Sequence, residues 1–185
     1  MTISPQDNKV DSKYIIITGI AVLLSWIFHE FAHFFAGRLL GYDMAMSFNK
    51  SYPLSGQYSS DTDYLIVSVA GPILTLLEGI IIFFIMRYRK IYLLYPFLFT
   101  CFYMRLLATL ISFLNPNDEA RISKAIGWGT FTLPMAVTLF LFYLIYHISR
   151  QYRFDKKFNL INLGLVIFFS SIIILADQFY QLRIL

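Results

Sequence analysis

Residues 14–40 read YIIITGIAVLLSWIFHEFAHFFAGRLL. The first half is almost wholly apolar, and the second half carries His29, Glu30 and His33 before the first fixed positive charge, Arg38. About 20 mostly apolar residues in a helix, each rising 1.5 Å, cross the hydrocarbon core of a bilayer. The stretch therefore predicts a transmembrane helix with ionisable groups inside it. An acidic side chain at mid-span costs roughly 2.5–3.5 kcal/mol on insertion scales, and such residues usually serve function.

Four further stretches, 64–86, 91–114, 130–148 and 158–175, are apolar enough to span as well. Of the 185 residues, 58% are hydrophobic and 14% charged, too few charges for a soluble domain, which uses about 25%. The predicted fold is an all-α membrane protein, a bundle of about five transmembrane helices forming a single domain over 1–185. No internal repeat stands out and the linkers are short. The exception is 41–63, where Asp43, Met44, Ala45, Met46, Ser47 and Phe48 alternate before Pro53 and Gly56; this pattern predicts a short β-hairpin after the first span. The apolar run continues to Leu40 without a small-residue cleavage site, so it is expected to be retained as a span rather than removed as a signal peptide.

The formal charge of +4 comes from basic clusters at span ends: Arg87, Arg89 and Lys90, then Arg150, Arg153, Lys156 and Lys157. Headgroup attraction explains them, so the partners expected are the lipid bilayer and no nucleic acid. With five spans, nine Lys/Arg lie on the amino-terminal side and five on the other, which places the amino terminus in the cytoplasm. The expected location is the cell membrane. Cys101, without a second cysteine, reads as a small buried hydrophobe.

His29-Glu30-Phe31-Ala32-His33 is an H-E-x-x-H pattern. Four residues turn a helix by about 400°, so both imidazoles can reach one metal ion, with Glu30 beside them to accept a proton from water. Zinc takes such donors tetrahedrally and lowers the pKa of its water to about 7. A third protein ligand must come from another element near the same face. The first and third spans end on that face, and Asn115-Pro116-Asn117-Asp118 follows the third, which makes Asp118 the expected ligand. Its depth is then a requirement: residues 114–118 must dip inward. Read alone, the same four residues would be a helix stop and N-cap. Pro72, Thr75 and Arg105 fall at similar depth to the histidines. Arg105 could stabilise an oxyanion or tether a carboxylate at the site, or pair with Glu78 as a purely structural bridge.

With these motifs the sequence resembles the site-2 protease family of intramembrane zinc metalloproteases, over about residues 20–125. That family has an H-E-x-x-H helix, an A-G-P segment followed by Asn, and a later D-G-G-R/H-like motif. Here they correspond to His29–His33, to Ala70-Gly71-Pro72 with Thr75 at the asparagine's place, and to Asp118-Glu119-Ala120-Arg121, in which Glu119 and Ala120 replace the two glycines. The resemblance implies one Zn2+ ion held by His29, His33 and Asp118, and Glu30 as general base. It also implies a transmembrane or membrane-associated peptide as substrate, with Gly71, Pro72 and Thr75 shaping its binding or the oxyanion. It places the site toward the cytoplasm, opposite to the charge count. The competing expectation is a noncatalytic, protease-like membrane protein that binds helices or metal. A di-iron desaturase needs many more than the three histidines present and is excluded.

Overall fold

The computed structural model describes residues 9–180 and 183–185. Five of its helices are long and apolar enough to cross a membrane. They are α1 (Ser12–Leu39), α2 (Asp61–Arg89), α3 (Tyr95–Ile111, entered through a 3-10 turn at Tyr92–Leu94), α5 (Thr132–Tyr152) and α6 (Lys156–Tyr180). A short helix, α4 (Asp118–Ala125), lies between α3 and α5, and two strands, β1 (Met44–Met46) and β2 (Ser51–Pro53), follow α1.

Helix ends are set by polar residues outside the apolar runs. The Asp11 side chain accepts from Tyr14 N–H at 2.8 Å and starts α1; Ser60 does the same for Asp63 N–H and starts α2. Asp61 and Asp63 in the first turn of α2, and Arg87 and Arg89 in its last, complement the helix dipole. Each of the five apolar stretches is found as a helix, with bounds shifted because the caps carry no hydropathy signal.

α1 is the central helix and packs against α2, α3, α6 and both strands. Large apolar side chains such as Phe31, Ile81, Leu139 and Phe168 are exposed on the outside, as a lipid-facing surface requires. Inside, Tyr14, Val22, Met86, Leu98, Leu141 and Val166 are buried together. Lipid gives helices no hydrophobic reason to associate, so interhelical polar contacts and close packing do more of the work. Tyr14 O–H donates to Asn162 Oδ1 at 2.7 Å and Trp26 Nε1–H to Ser170 Oγ at 3.3 Å, joining α1 to α6. Ser25 O–H donates to Glu78 Oε1 at 2.6 Å, joining α1 to α2. Glu78 is thus occupied by Ser25, and the Glu78–Arg105 bridge considered from sequence is not formed. Cys101 is buried, as expected.

The expected hairpin is present, with β1 and β2 antiparallel and Met46 opposite Ser51. It lies directly on α1: a Cβ added at Gly37 would sit 2.5 Å from Met44 Sδ, so the glycine permits the approach. Ser47 N–H donates to Lys50 O at 2.8 Å and Leu54 N–H to Asp43 O at 2.7 Å. In an antiparallel ladder bonded pairs alternate, so Ala45 and Tyr52 face each other's backbone while Met46 and Ser51 turn theirs outward. The outer edge of β1 is taken by the chain itself, Met46 N–H donating to Leu185 O at 3.0 Å and Ile184 N–H to Met46 O at 2.8 Å. Asp177 Oδ1 accepts from Phe48 N–H at 3.1 Å, so this acid near the chain's end braces the hairpin.

α3 stops at Ile111, short of the expected 114. Residues 112–117 link it to α4, whose Glu119 meets Arg105 of α3. Burial rises along this segment, Leu114 being 91% exposed and Asp118 only 8%.

Candidate metal centre

His29 and His33 lie one helical turn apart on the buried face of α1, with Nε2 atoms 3.2 Å from each other. Asp118 opens α4, and its Oδ2 stands 3.6 Å from His29 Nε2 and 3.4 Å from His33 Nε2. The helix-stop and N-cap reading of residues 115–118 holds, with Asn117 as the cap, and Asp118 stands beside both histidines in a group that could hold a metal ion. The Asn117 side chain accepts from Asp118 N–H at 2.9 Å, and the cap turns the next side chain inward.

The tautomers follow from the outer contacts. His33 Nδ1 is 2.7 Å from Val67 O, an acceptor only, so Nδ1 carries the proton. Thr75 O–H donates to Gly71 O at 3.1 Å, which leaves its oxygen to accept from His29 Nδ1–H at 3.0 Å. Both Nε2 atoms therefore present lone pairs, toward each other and toward a carboxylate oxygen. Three acceptors facing one point without a donor among them repel unless a cation lies between. Ligands about 2.05 Å from a tetrahedral zinc are about 3.3 Å apart, close to the three separations found. The group is buried and positioned to hold a metal ion.

Arg121 Nη2 contacts Asp118 Oδ1 and so leaves Oδ2 for the histidines. Paired with the Arg121 guanidinium, the Asp118 carboxylate is ionised, and the third donor is an anion.

Gly71 is what lets α2 reach this centre. A Cβ there would lie 2.4 Å from His33 Nε2 and 2.5 Å from His29 Cε1, inside the donor set. Thr75, one turn further along α2, orients His29. Thr75→Val keeps the shape and removes the oxygen; loss of such an outer partner typically weakens metal affinity about 10–100-fold, and that fall, measured by competition with a chelating dye, is expected with no change of fold.

Glu30 shares a cavity of about 570 Å³ with His33 and Asp118. β2 with the turn before it, the start of α2 and Arg121 form the other walls. Ser51 O–H donates to the main-chain oxygen of Glu30 at 2.8 Å, pinning β2 over the motif. Gly71, Pro72, Thr75 and Arg105, expected from sequence to serve substrate binding or the oxyanion, do not line this cavity. Gly71 and Thr75 lie behind the imidazoles, Pro72 is buried within α2, and Arg105 pairs with Glu119 at 2.8 Å with both side chains buried. Glu119 was read from sequence only as a replaced glycine. The signal that would have found it is Arg105 itself, a charge inside a span that needs a partner.

No protein-family model, curated protein or solved structure matches the chain.

Proposed function

We propose that the chain is an intramembrane zinc metalloprotease that hydrolyses peptide bonds of membrane-embedded or membrane-adjacent segments. The observation that carries this reading is the convergence of His33, Asp118 and Glu30 on one cavity. Two of them belong to a buried three-donor metal group, and the third is a carboxylate that the group does not use. Two imidazoles and one carboxylate also suit ferrous iron; a glutamate outside the donor set lining the same cavity favours hydrolysis over oxygen chemistry.

His29, His33 and Asp118 would hold the ion. When bound, zinc supplies Lewis acidity toward a carbonyl and acidifies a water at the site. Glu30 accepts the proton of the attacking water and delivers it to the leaving amine, so one carboxylate serves as base and then as acid. Arg121 keeps the Asp118 carboxylate turned toward the histidines. The cavity supplies the water that hydrolysis needs and that lipid lacks.

An extended substrate would add as a strand, since backbone pairing recognises peptides with little demand on sequence. With the backbone of Met46 engaged by residues 184 and 185, the edge offered is that of β2, where Ser51 turns its backbone outward and also lines the cavity. Ser51→Pro removes that N–H and should raise KM several-fold beyond the effect of Ser51→Ala, which removes only the hydroxyl bond; equal kinetics of the two variants would contradict strand addition.

The proposed location is the cell membrane, consistent with basic clusters at the ends of α2 and α5; recovery of the tagged chain in the soluble fraction would contradict it. The experiment for the activity is cleavage of a quenched transmembrane peptide by the purified chain in detergent. Cleavage that a chelator stops and Zn2+ restores supports the enzyme. Stoichiometric zinc without cleavage of any membrane peptide supports instead the competing noncatalytic, metal-binding protein.

A further inference from the structure

We infer that the buried Arg105–Glu119 pair registers the metal centre: it fixes the depth at which α4 begins, and so where the Asp118 carboxylate stands, and contributes little to the stability of the bundle. This rests on the metal-centre reading above and deepens it.

Arg105 Nη1 donates to Glu119 Oε1 at 2.8 Å, and the two side chains are 3% and 4% exposed. Glu119 is the neighbour of Asp118 in the first turn of α4. That helix has 8 residues, too few to be stable alone, since isolated helices shorter than about 12–15 residues are marginal. It rests mainly on α2 and α5 and is joined to α3 through 112–117, so side-chain anchors must set its position. Arg105 also reaches the other half of the site. Its Nη2 lies 3.4 Å from both ring nitrogens of His29, which places it off the lone-pair axis of either. One guanidinium thus touches the ring of one ligand and holds the residue beside another, coupling the levels of α1 and α4.

As a source of stability the pair is poorly built. A guanidinium has five donors; among the described residues Nε has no partner and Nη2 has only the off-axis contact. Removing two charges from water is repaid only when geometry and satisfaction are good, and an apolar pair of similar volume often does as well or better. Registry is the role that remains for it.

The test replaces both residues, Arg105→Met with Glu119→Met, in the full chain purified in detergent. Two properties are measured: melting temperature without metal, and affinity and visible spectrum with Co2+ as the probe. The expected result is an unchanged or raised melting temperature, a dissociation constant raised about 10–100-fold as for other outer partners, and an altered cobalt band. Wild-type affinity and spectrum in the double variant would overturn the inference, as would a folded variant with a much lowered melting temperature. If the double variant does not fold, Glu119→Gln decides by the same readings: weakened Co2+ binding at a near-normal melting temperature supports registry, and unchanged binding overturns it. Wild-type protein that takes up no Co2+ would contradict the metal-centre reading itself, and the inference with it.

Discussion

Glu30→Gln is expected to keep the metal and lose the chemistry. The group that could hold the ion is His29, His33 and Asp118 and does not include Glu30, so metal affinity should stay within about threefold of wild type, less than the change an outer partner's loss brings. Peptide hydrolysis should fall by about 10²–10⁴-fold, the usual contribution of a positioned general base. Glutamine has nearly the shape of glutamate, and the hairpin is also pinned through the main-chain oxygen of residue 30, so β2 should not move. Metal content and single-turnover cleavage, measured on one preparation, separate the two effects. Undiminished turnover would remove Glu30 from the mechanism.

Asp118→Ala should have the opposite signature, with the metal itself lost. Catalytic zinc sites keep three protein ligands, and two imidazoles on one helix turn leave the ion open to water. The affinity should fall by more than the roughly 10–100-fold typical of an outer partner, and hydrolysis with it. The fold should survive, because Arg121, freed of its partner, has a side chain 28% exposed and also rests over the Tyr64 ring at 4.9 Å. Equilibrium dialysis against Zn2+ with circular dichroism reads both. Wild-type zinc affinity in this variant would mean that another group completes the site.

How much of this was legible in the sequence follows from what each feature depends on. The five spans depend on composition over some twenty residues and read directly. The histidine pair depends on the helical period alone. Asp118 could be placed by topology, because odd and even spans end on known faces, but its depth depended on where α3 stops, and Ile111 carries no stop signal of its own. α4 went unseen because Arg121 and Lys124 interrupt any apolar period in so short a segment. Thr75 reads from sequence as a contact to substrate or oxyanion, since spacing along α2 cannot tell which way the α1–α2 approach turns a hydroxyl; in the fold its oxygen stands 3.0 Å from His29 Nδ1. The engagement of β1 by residues 184 and 185 depends on backbone hydrogen bonds across most of the chain, which no local pattern announces.

X-ray absorption at the zinc edge, on protein purified without chelators, tests the metal centre most directly. The prediction is one zinc per chain with nitrogen and oxygen neighbours at about 2.0–2.1 Å, the outer-shell scattering of two imidazoles, and loss of that signal in His29→Ala. Folded protein without stoichiometric metal, or a bound ion whose spectrum is the same with and without His29, would contradict it.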